Sequence, residues 1–271
     1  MLTVLTIAGS DSIAGAGVQA DLKTFAAFGV YGACAITALT AQNRQGVSAV
    51  EPVSLTMLEA QIDAVVQDLK PQVWKLGMLL DEERVALVAR KAMEYQPSAL
   101  VVDPVLVSSS GRRLLSEKAV AVMKEELFPL VTVLTPNLPE AQALTGLSVD
   151  VSREELAETL LELGPKAILL KGGHAPEESR VQDLLVSETG TFWLTQPRVE
   201  GSSPHGTGCT LASALAALLA KGWSLKKAAE ESQRYLRFQI EAAQSTSPGV
   251  GSPLLLHSPA FLPDTLNEAL L

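Results

Sequence analysis

The sequence predicts an α/β protein whose central, mainly parallel sheet is covered by helices on both faces. Short apolar segments of strand length alternate with helical segments along most of the chain, as parallel sheets with crossover helices require. Glycine and polar residues follow several of these strands, and ligands bind at the carboxyl ends of such strands. The 271 residues are 47% hydrophobic, which suits one large domain that spans residues 1–271.

Each predicted strand is a short apolar segment bounded by glycine, proline or charged residues. These strands cover residues 2–7, 33–39, 73–76, 100–102, 131–134 and 167–170. Two more segments, at residues 181–187 and 191–194, flank Glu188-Thr189-Gly190 and predict a small hairpin near residues 181–194.

The predicted helices lie between these strands. They cover residues 16–28, 55–69, 82–95, 117–127, 153–163 and 210–220. In the second helix the apolar residues fall on one face, and Thr56 and Glu59 have the spacing of a capping box. The last helix is almost wholly apolar, which predicts burial on most sides, and it stops at Lys221-Gly222.

Charge and composition point to a small-molecule partner. A net charge of −9 and a pI near 4.9 disfavour binding to nucleic acid or to an anionic membrane. No apolar run reaches the length of a membrane span, and the first strand lacks the basic start and cleavage site of a signal peptide. We therefore expect a cytoplasmic protein in which Cys34 and Cys209 are free thiols.

A Gly-Thr-Gly-Cys turn, residues 206–209, precedes the last helix. Glycine lets a backbone approach a ligand closely, and the free N–H groups of a helix start bind anions. The alternative is a tight turn in which Cys209 packs as a small hydrophobe. The turn lacks the Gly-Lys-Ser/Thr of a phosphate-binding Walker loop and the glycine spacing of a dinucleotide fingerprint, so the turn alone leaves both interpretations open.

Seven segments in order along the chain carry a family resemblance. They are AGSDSIAGAGVQADLKTFAAFGVYG, TALTAQN, KLGML, VVDPVLV, TPNLPEA, LLKGGH and PHGTGCTL. Together these segments resemble the hydroxymethylpyrimidine/phosphomethylpyrimidine kinases of thiamine biosynthesis, which belong to the ribokinase-like superfamily. The resemblance implies a ribokinase-like fold and an enzyme that uses ATP and Mg²⁺. Its substrates would be 4-amino-5-hydroxymethyl-2-methylpyrimidine and then its monophosphate, which becomes the diphosphate.

The resemblance assigns catalysis to the turn. Gly206, Thr207 and Gly208 would form an anion hole with Cys209, which stands where many ribokinase-like enzymes carry a catalytic aspartate. We expect the helix N-terminus to lower the pKa of the Cys209 thiol and so to favour the thiolate.

The same resemblance places ATP and Mg²⁺ at strand ends. Asn137 and Glu140 match the family's Asn-x-x-Glu motif, which organises Mg²⁺ and phosphate. The residues alone favour a different interpretation, in which Glu140 is an ordinary first-turn carboxylate that stabilises a helix N-terminus. Lys171 would contact ATP phosphates, and an isolated strand-end lysine is otherwise solvated. Asp103 and His205 are further nucleotide-side candidates, and His174 is expected in a loop nearby.

The pyrimidine side follows from the same segments. Gln42 aligns with the glutamine that recognises the ring, and its amide offers both a donor and an acceptor to an aminopyrimidine edge. Gly9 and Asp21 belong to the matching substrate segment, and Met78 would supply an apolar wall. The alternative for Gln42 is a solvent-facing amide, and for Asp21 a charge on a helix surface.

The chain departs from the family pattern at three places, one of which is Ser203-Pro204 in place of the commoner Asn-Thr before His205. Ile13 and Ala14 replace the usual Ser-Gly, which would stiffen the loop over the substrate, and Ser109 replaces a frequent lysine that would clamp phosphate. A pyridoxal kinase on the same scaffold is the nearest alternative activity. A non-catalytic nucleotide or pyrimidine sensor is the alternative of another class, and analogy with the family suggests a homodimer.

Overall fold

A computed structural model describes residues 1–106, 115–173, 179–201, 204–246 and 253–257. The strands in these residues are β1 (Thr3–Ser10), β2 (Tyr31–Asn43), β3 (Gly46–Pro52), β4 (Val73–Leu76), β5 (Ala99–Val102), β6 (Val133–Leu134), β7 (Ala167–Leu170), β8 (Arg180–Ser187) and β9 (Gly190–Pro197). They form one sheet in the order β3-β2-β1-β4-β5-β6-β7-β8-β9.

The sheet is parallel from β2 to β7 and antiparallel at both edges. β1 pairs in parallel with β2 and β4, and parallel pairing continues through β5, β6 and β7. β3 pairs antiparallel with β2 at one edge, while β8 and β9 form an antiparallel hairpin at the other. The predicted parallel sheet and hairpin are confirmed; β3 was not predicted.

Helices cover both faces of the sheet. They are α1 (Gly17–Ala27), α2 (Leu55–Leu69), α3 (Glu82–Tyr95), α4 (Glu117–Val122), α5 (Leu138–Thr145), α6 (Arg153–Glu162), α7 (Thr207–Ala220) and α8 (Leu225–Thr246). Residues of α2 to α6 pack in one apolar core, and residues of α1, α7 and α8 pack in the other. Successive strand residues pack in opposite cores. In β4, Trp74 packs in the core with α2 to α6, and Val73 packs in the core with α1, α7 and α8.

Three predicted helices differ from the structure, in the cap of α2, the helix type after α4 and the first residue of α7. α2 begins after Ser54, whose hydroxyl accepts the Met57 N–H at 3.3 Å, so the predicted capping box at Thr56 and Glu59 is wrong. The predicted helix 117–127 is α-helical only as far as Val122 and continues as a π-helical turn over Met123–Leu127. α7 begins at Thr207 rather than at residue 210, and its nine buried residues confirm the predicted burial.

α8 was not predicted, and α5 was anticipated only through the interpretation of Glu140 as a first-turn carboxylate of a helix. α5 is short, with eight residues, and α8 mixes charged, polar and apolar residues over 22 residues. Within the described residues, none of the helices combines the length and apolar character needed to cross a bilayer.

Candidate active site

One cavity of about 1110 Å³ opens at the carboxyl ends of β1, β4, β5 and β7, beside the first turns of α5 and α7. All predicted site residues except Asp21 line it. They are Gly9, Gln42, Met78, Asp103, Asn137, Glu140, Lys171, His205, Gly206, Thr207, Gly208 and Cys209. The predicted location at the strand ends is therefore confirmed.

The Gly-Thr-Gly-Cys turn starts α7 and faces this cavity. Gly206 is the N-cap residue, with φ 87°, a backbone conformation that favours glycine. A Cβ at this position would overlap the Gly15 carbonyl oxygen and lie 3.3 Å from Ala16 Cα. The Gly206 carbonyl accepts the Thr210 N–H at 3.0 Å, whereas the first N–H groups of the helix precede any intrahelical acceptor. The turn thus has the geometry of an anion site.

An ammonium group lies directly beside the turn. Lys171 Nζ is 2.7 Å from Asp103 Oδ1, and the Lys171 and Asp103 side chains are 13% and 4% exposed. A Cβ on Gly208 would be 3.3 Å from that ammonium and 3.2 Å from Asp103 Oδ2. Burial disfavours the charge on Lys171, but the Asp103 and Glu140 carboxylates outweigh it and raise the pKa of Lys171. The Lys171 ammonium group therefore lies close enough to the turn to contact an anion bound there.

Asn137 and Glu140 form the capping box of α5. The Glu140 N–H donates to Asn137 Oδ1 at 2.8 Å, and the Asn137 N–H donates to Glu140 Oε2 at 2.9 Å. The helix-stabilising interpretation of Glu140 is thus confirmed. Glu140 Oε2 is also 4.0 Å from Lys171 Nζ, and burial raises the pKa of Glu140 to about 7. Both side chains line the cavity, so capping and ligand contact are compatible.

Cys209 is the third residue of α7 and is half-buried at the cavity wall. The Gly17 N–H donates to its sulfur. The predicted lowering of its pKa is wrong: burial raises the pKa of the thiol to about 11. Loss of hydration and the nearby Asp21 and Asp103 carboxylates oppose the thiolate more than the Lys75 ammonium and the Gly17 N–H favour it.

The proposed ring-binding residues lie on another wall of the cavity. Gln42 Oε1 accepts the Thr40 hydroxyl at 3.2 Å, and its Nε2 is 2.9 Å from His205 Nε2. A Cβ on Gly9 would overlap the methyl group of Met78, so glycine gives Met78 its place over the end of β1. An amide and a thioether thus face the cavity, as the resemblance implies.

Asp21 does not belong to this site. It is fully buried and absent from the cavity wall, so both the predicted substrate contact and the surface-charge alternative are wrong. Its carboxylate accepts hydrogen bonds from Lys75 at 2.8 and 2.9 Å, from Thr6 at 2.6 Å and from Ser213 at 2.7 Å. Sequence reasoning missed Lys75, although a lysine inside the apolar strand VWKL was a visible signal.

Sequence reasoning also missed the role of Asp11. Its carboxylate Oδ2 accepts the N–H groups of Gly15 and Ala16 at 3.0 and 2.8 Å and lies 3.0 Å from His205 Nε2. Burial disfavours the charge, but these partners outweigh it and lower the pKa of Asp11. Asp11 therefore ties the glycine-containing loop of residues 11–17 to the turn before α7.

The departures from the family pattern fall partly in this loop. Ala14 adopts φ 57°, a left-handed conformation that glycine would adopt without strain. The Ile13 N–H donates to Asp11 Oδ1 at 3.2 Å. Ser109, His174 and Ser203 lie outside the described residues.

Comparison with known proteins shows the family to which the chain belongs. A family model described as phosphomethylpyrimidine kinase matches residues 11–253. The chain is 44% identical to the hydroxymethylpyrimidine/phosphomethylpyrimidine kinase of Bacillus subtilis (strain 168), over 98% of this chain and 97% of that protein.

Solved structures show the same fold. A phosphomethylpyrimidine kinase from Clostridium difficile 630 superposes with a TM-score of 0.76 at 40% identity, covering 87% of this chain and 98% of the other. A pyridoxal kinase from Staphylococcus aureus, in complex with AMP-PCP and pyridoxal, superposes with a TM-score of 0.86 at 32% identity. The superposition covers 96% of this chain and 94% of the other. The fold is ribokinase-like, and the chain belongs to the phosphomethylpyrimidine kinase family.

Proposed function

We propose that this chain is an ATP-dependent kinase of thiamine biosynthesis. It phosphorylates 4-amino-5-hydroxymethyl-2-methylpyrimidine and then converts the monophosphate to the diphosphate. The observation that carries this proposal is that the helix start at Gly206–Cys209 and the Gln42 amide line one cavity, where the first would bind an anion and the second would recognise the ring. The family's kinase activity and the ATP analogue bound by the Staphylococcus aureus relative support the use of ATP.

Phosphoryl transfer needs positioning and charge stabilisation more than covalent catalysis. The N–H groups of the turn and the Lys171 ammonium hold the γ-phosphoryl oxygens. The hydroxymethyl oxygen forms a bond to the γ-phosphorus while the bond to the bridging oxygen of ADP breaks, and the hydroxyl proton passes to the Cys209 thiolate. The thiolate must therefore form in the reacting complex, because burial raises the pKa of the Cys209 thiol to about 11 and favours its protonated form.

The oxygen atoms near the turn fit a magnesium ion that accompanies ATP. Glu140 and Asp103 supply carboxylate oxygens and Asn137 an amide oxygen, which are hard ligands of the kind this ion prefers. When bound, the ion neutralises phosphate charge. Glu140 is the residue that we propose acts on it, directly or through water, while Asn137 orients Glu140 through the capping box.

Pyridoxal kinase activity is the second candidate function. The Staphylococcus aureus pyridoxal kinase gives a TM-score of 0.86, above the 0.76 of the phosphomethylpyrimidine kinase from Clostridium difficile. Sequence favours the pyrimidine, since identity is 44% to the Bacillus subtilis pyrimidine kinase and 32% to the pyridoxal kinase. Membership of a kinase family disfavours a non-catalytic sensor.

Product analysis tests the function directly. The chain is incubated with ATP, Mg²⁺ and either the hydroxymethylpyrimidine or pyridoxal, and the products are separated and identified. We expect pyrimidine monophosphate first and then diphosphate, with one ADP released per phosphoryl group. Faster phosphorylation of pyridoxal would replace the main proposal by the second, and ADP release without either product would contradict both.

We further propose that the chain works as a single kinase domain in a cytoplasmic homodimer. The family resemblance supports the dimer. Light scattering coupled to size-exclusion chromatography distinguishes a dimer from a chain of 28.6 kDa.

A further inference from the structure

A fully buried ion pair joins β4 to α1. Lys75 and Asp21 are both 0% exposed, and Lys75 Nζ is 2.8 and 2.9 Å from the two carboxylate oxygens. Withdrawing two charges from water is costly, and an apolar pair of similar volume often packs as well or better. The pair therefore calls for an explanation beyond stability.

The pair lies between the floor of the cavity and the first turns of α7. On the helix side, the Ser213 hydroxyl donates to Asp21 at 2.7 Å, and Ser213 follows Cys209 by four residues, so both lie on one face of the helix. On the cavity side, a Cβ on Gly77 would be 3.2 Å from Lys75 Nζ, and Gly77 lines the cavity. The ammonium is thus placed behind the wall that carries the thiol.

Charged groups act on Cys209 from several elements. Asp21 on α1 and Asp103 after β5 disfavour the thiolate. Lys75 on β4 favours it, and Lys75 is the strongest of the favourable influences on the sulfur. The Cys209 sulfur in turn raises the pKa of Lys75. It also raises the pKa of Lys171, which follows β7.

We propose that Lys75 is a positioning residue for Cys209: held by Asp21 beneath the first turns of α7, its ammonium group stabilises the thiolate relative to the thiol. Asp21 has two opposing effects on Cys209. It holds the Lys75 ammonium group in place, and its own negative charge partly cancels the stabilisation of the thiolate by that ammonium group. The coupling of charge to sulfur is independent of the proposed function; only its use in phosphoryl transfer rests on that function.

The thiol-alkylation rate tests the coupling without any substrate. Cys34→Ala leaves Cys209 as the one cysteine in the chain, so iodoacetamide consumption reports on that thiol alone. In this background we compare Lys75→Met with Asp21→Asn and measure the rate from pH 7 to 11. One pKa unit changes the thiolate fraction about tenfold well below the pKa.

The two variants should shift the rate in opposite directions. Lys75→Met should slow alkylation at pH 8 by about tenfold and move the profile to higher pH. Asp21→Asn removes the opposing carboxylate, and as long as Lys75 stays protonated without that partner it should speed alkylation and move the profile to lower pH. Unchanged rates, or faster alkylation in both variants as loosened packing would give, would overturn the proposal.

Two further variants keep the test decisive. Lys91→Met is the matched control, since Lys91 is also a buried lysine but is paired with Glu59, Asp63 and Glu94 on the other face of the sheet, and it should leave the profile unchanged. If Lys75→Met does not fold, the double variant Lys75→Met/Asp21→Asn, which leaves no unpaired charge, replaces it. Slower alkylation of the double variant than of the Cys34→Ala protein supports the proposal. An equal or faster rate overturns it.

The alkylation profile and kinase assays separate two possible failures. If the variants shift alkylation as expected but the parent chain phosphorylates no pyrimidine, the proposed function fails and the coupling stands. If the parent is an active kinase and alkylation does not respond to Lys75, the function stands and the positioning role fails.

Discussion

Replacement of Gly206 by alanine tests the anion turn most directly. Gly206 has φ 87°, and a left-handed conformation costs about 1–2 kcal/mol for a residue with a Cβ. The new methyl group would also overlap the Gly15 carbonyl oxygen and lie 2.8 Å from its carbon, and both atoms are backbone. The turn or the 11–17 loop must therefore move by roughly 1 Å, and a displacement of that size at a reacting group costs about 100-fold in rate.

Gly222→Ala is the matched control, because it separates strain from collision. Gly222 follows the other end of α7 with φ 80°, and a Cβ there meets nothing within 4 Å. We expect both variants to lose about 1–2 kcal/mol of unfolding free energy from strain, but only Gly206→Ala to lose about 100-fold in kcat/KM. Thermal unfolding and ADP release measure the two effects. If folded Gly206→Ala stays within about threefold of Gly222→Ala in kcat/KM, the turn does not hold the reacting phosphate.

Four further substitutions test the other roles. Gln42→Ala should raise KM for the pyrimidine about 5- to 150-fold, the worth of a buried hydrogen bond, and leave KM for ATP unchanged; an equal loss for both substrates contradicts ring recognition. Lys171→Ala should chiefly raise KM for ATP, and Glu140→Gln should raise the Mg²⁺ concentration needed while preserving the α5 cap, which glutamine also forms. Unchanged ATP and Mg²⁺ titrations would reduce both residues to structural roles. Cys209→Ala should lower single-turnover rates about 10²–10⁴-fold with ATP affinity preserved. Because the thiol pKa is raised to about 11, the parent rate should increase with pH above 7, and Cys209→Ala should abolish that increase; the same pH profile in both proteins would identify another base.

Local patterns were sufficient to predict most of the sheet. β4 and β7 are wholly buried apolar segments whose predicted bounds match the structure, because burial on both faces leaves a continuous apolar run. β3 is an edge strand in which none of the seven residues is buried, so its sequence carries no such run. Its pairing with β2 depends on tertiary contact, which local pattern does not encode.

The site was predictable where chemistry follows a strand or begins a helix. Gly206 and Lys171 stand at such positions, and the topology of a parallel sheet brings those positions together. Asp21 was misplaced because a charged residue on a helix looks the same in sequence whether it faces water or a buried partner. Its partner Lys75 is 54 residues away, so only the fold reveals the pair.

The charges around the anion turn explain why a thiol can occupy the place of a carboxylate. Lys75 and Lys171 are the ammonium groups that act on the Cys209 sulfur, and the Asp21 and Asp103 carboxylates already pair with them. A permanent charge at position 209 would add a third carboxylate to this arrangement, next to an incoming polyphosphate. A thiol adds no charge while ATP binds and can still accept a proton once it is ionised. Cys209→Asp therefore gains a fixed base at the expense of this charge balance, and partial activity with weaker ATP binding is the outcome we expect from it.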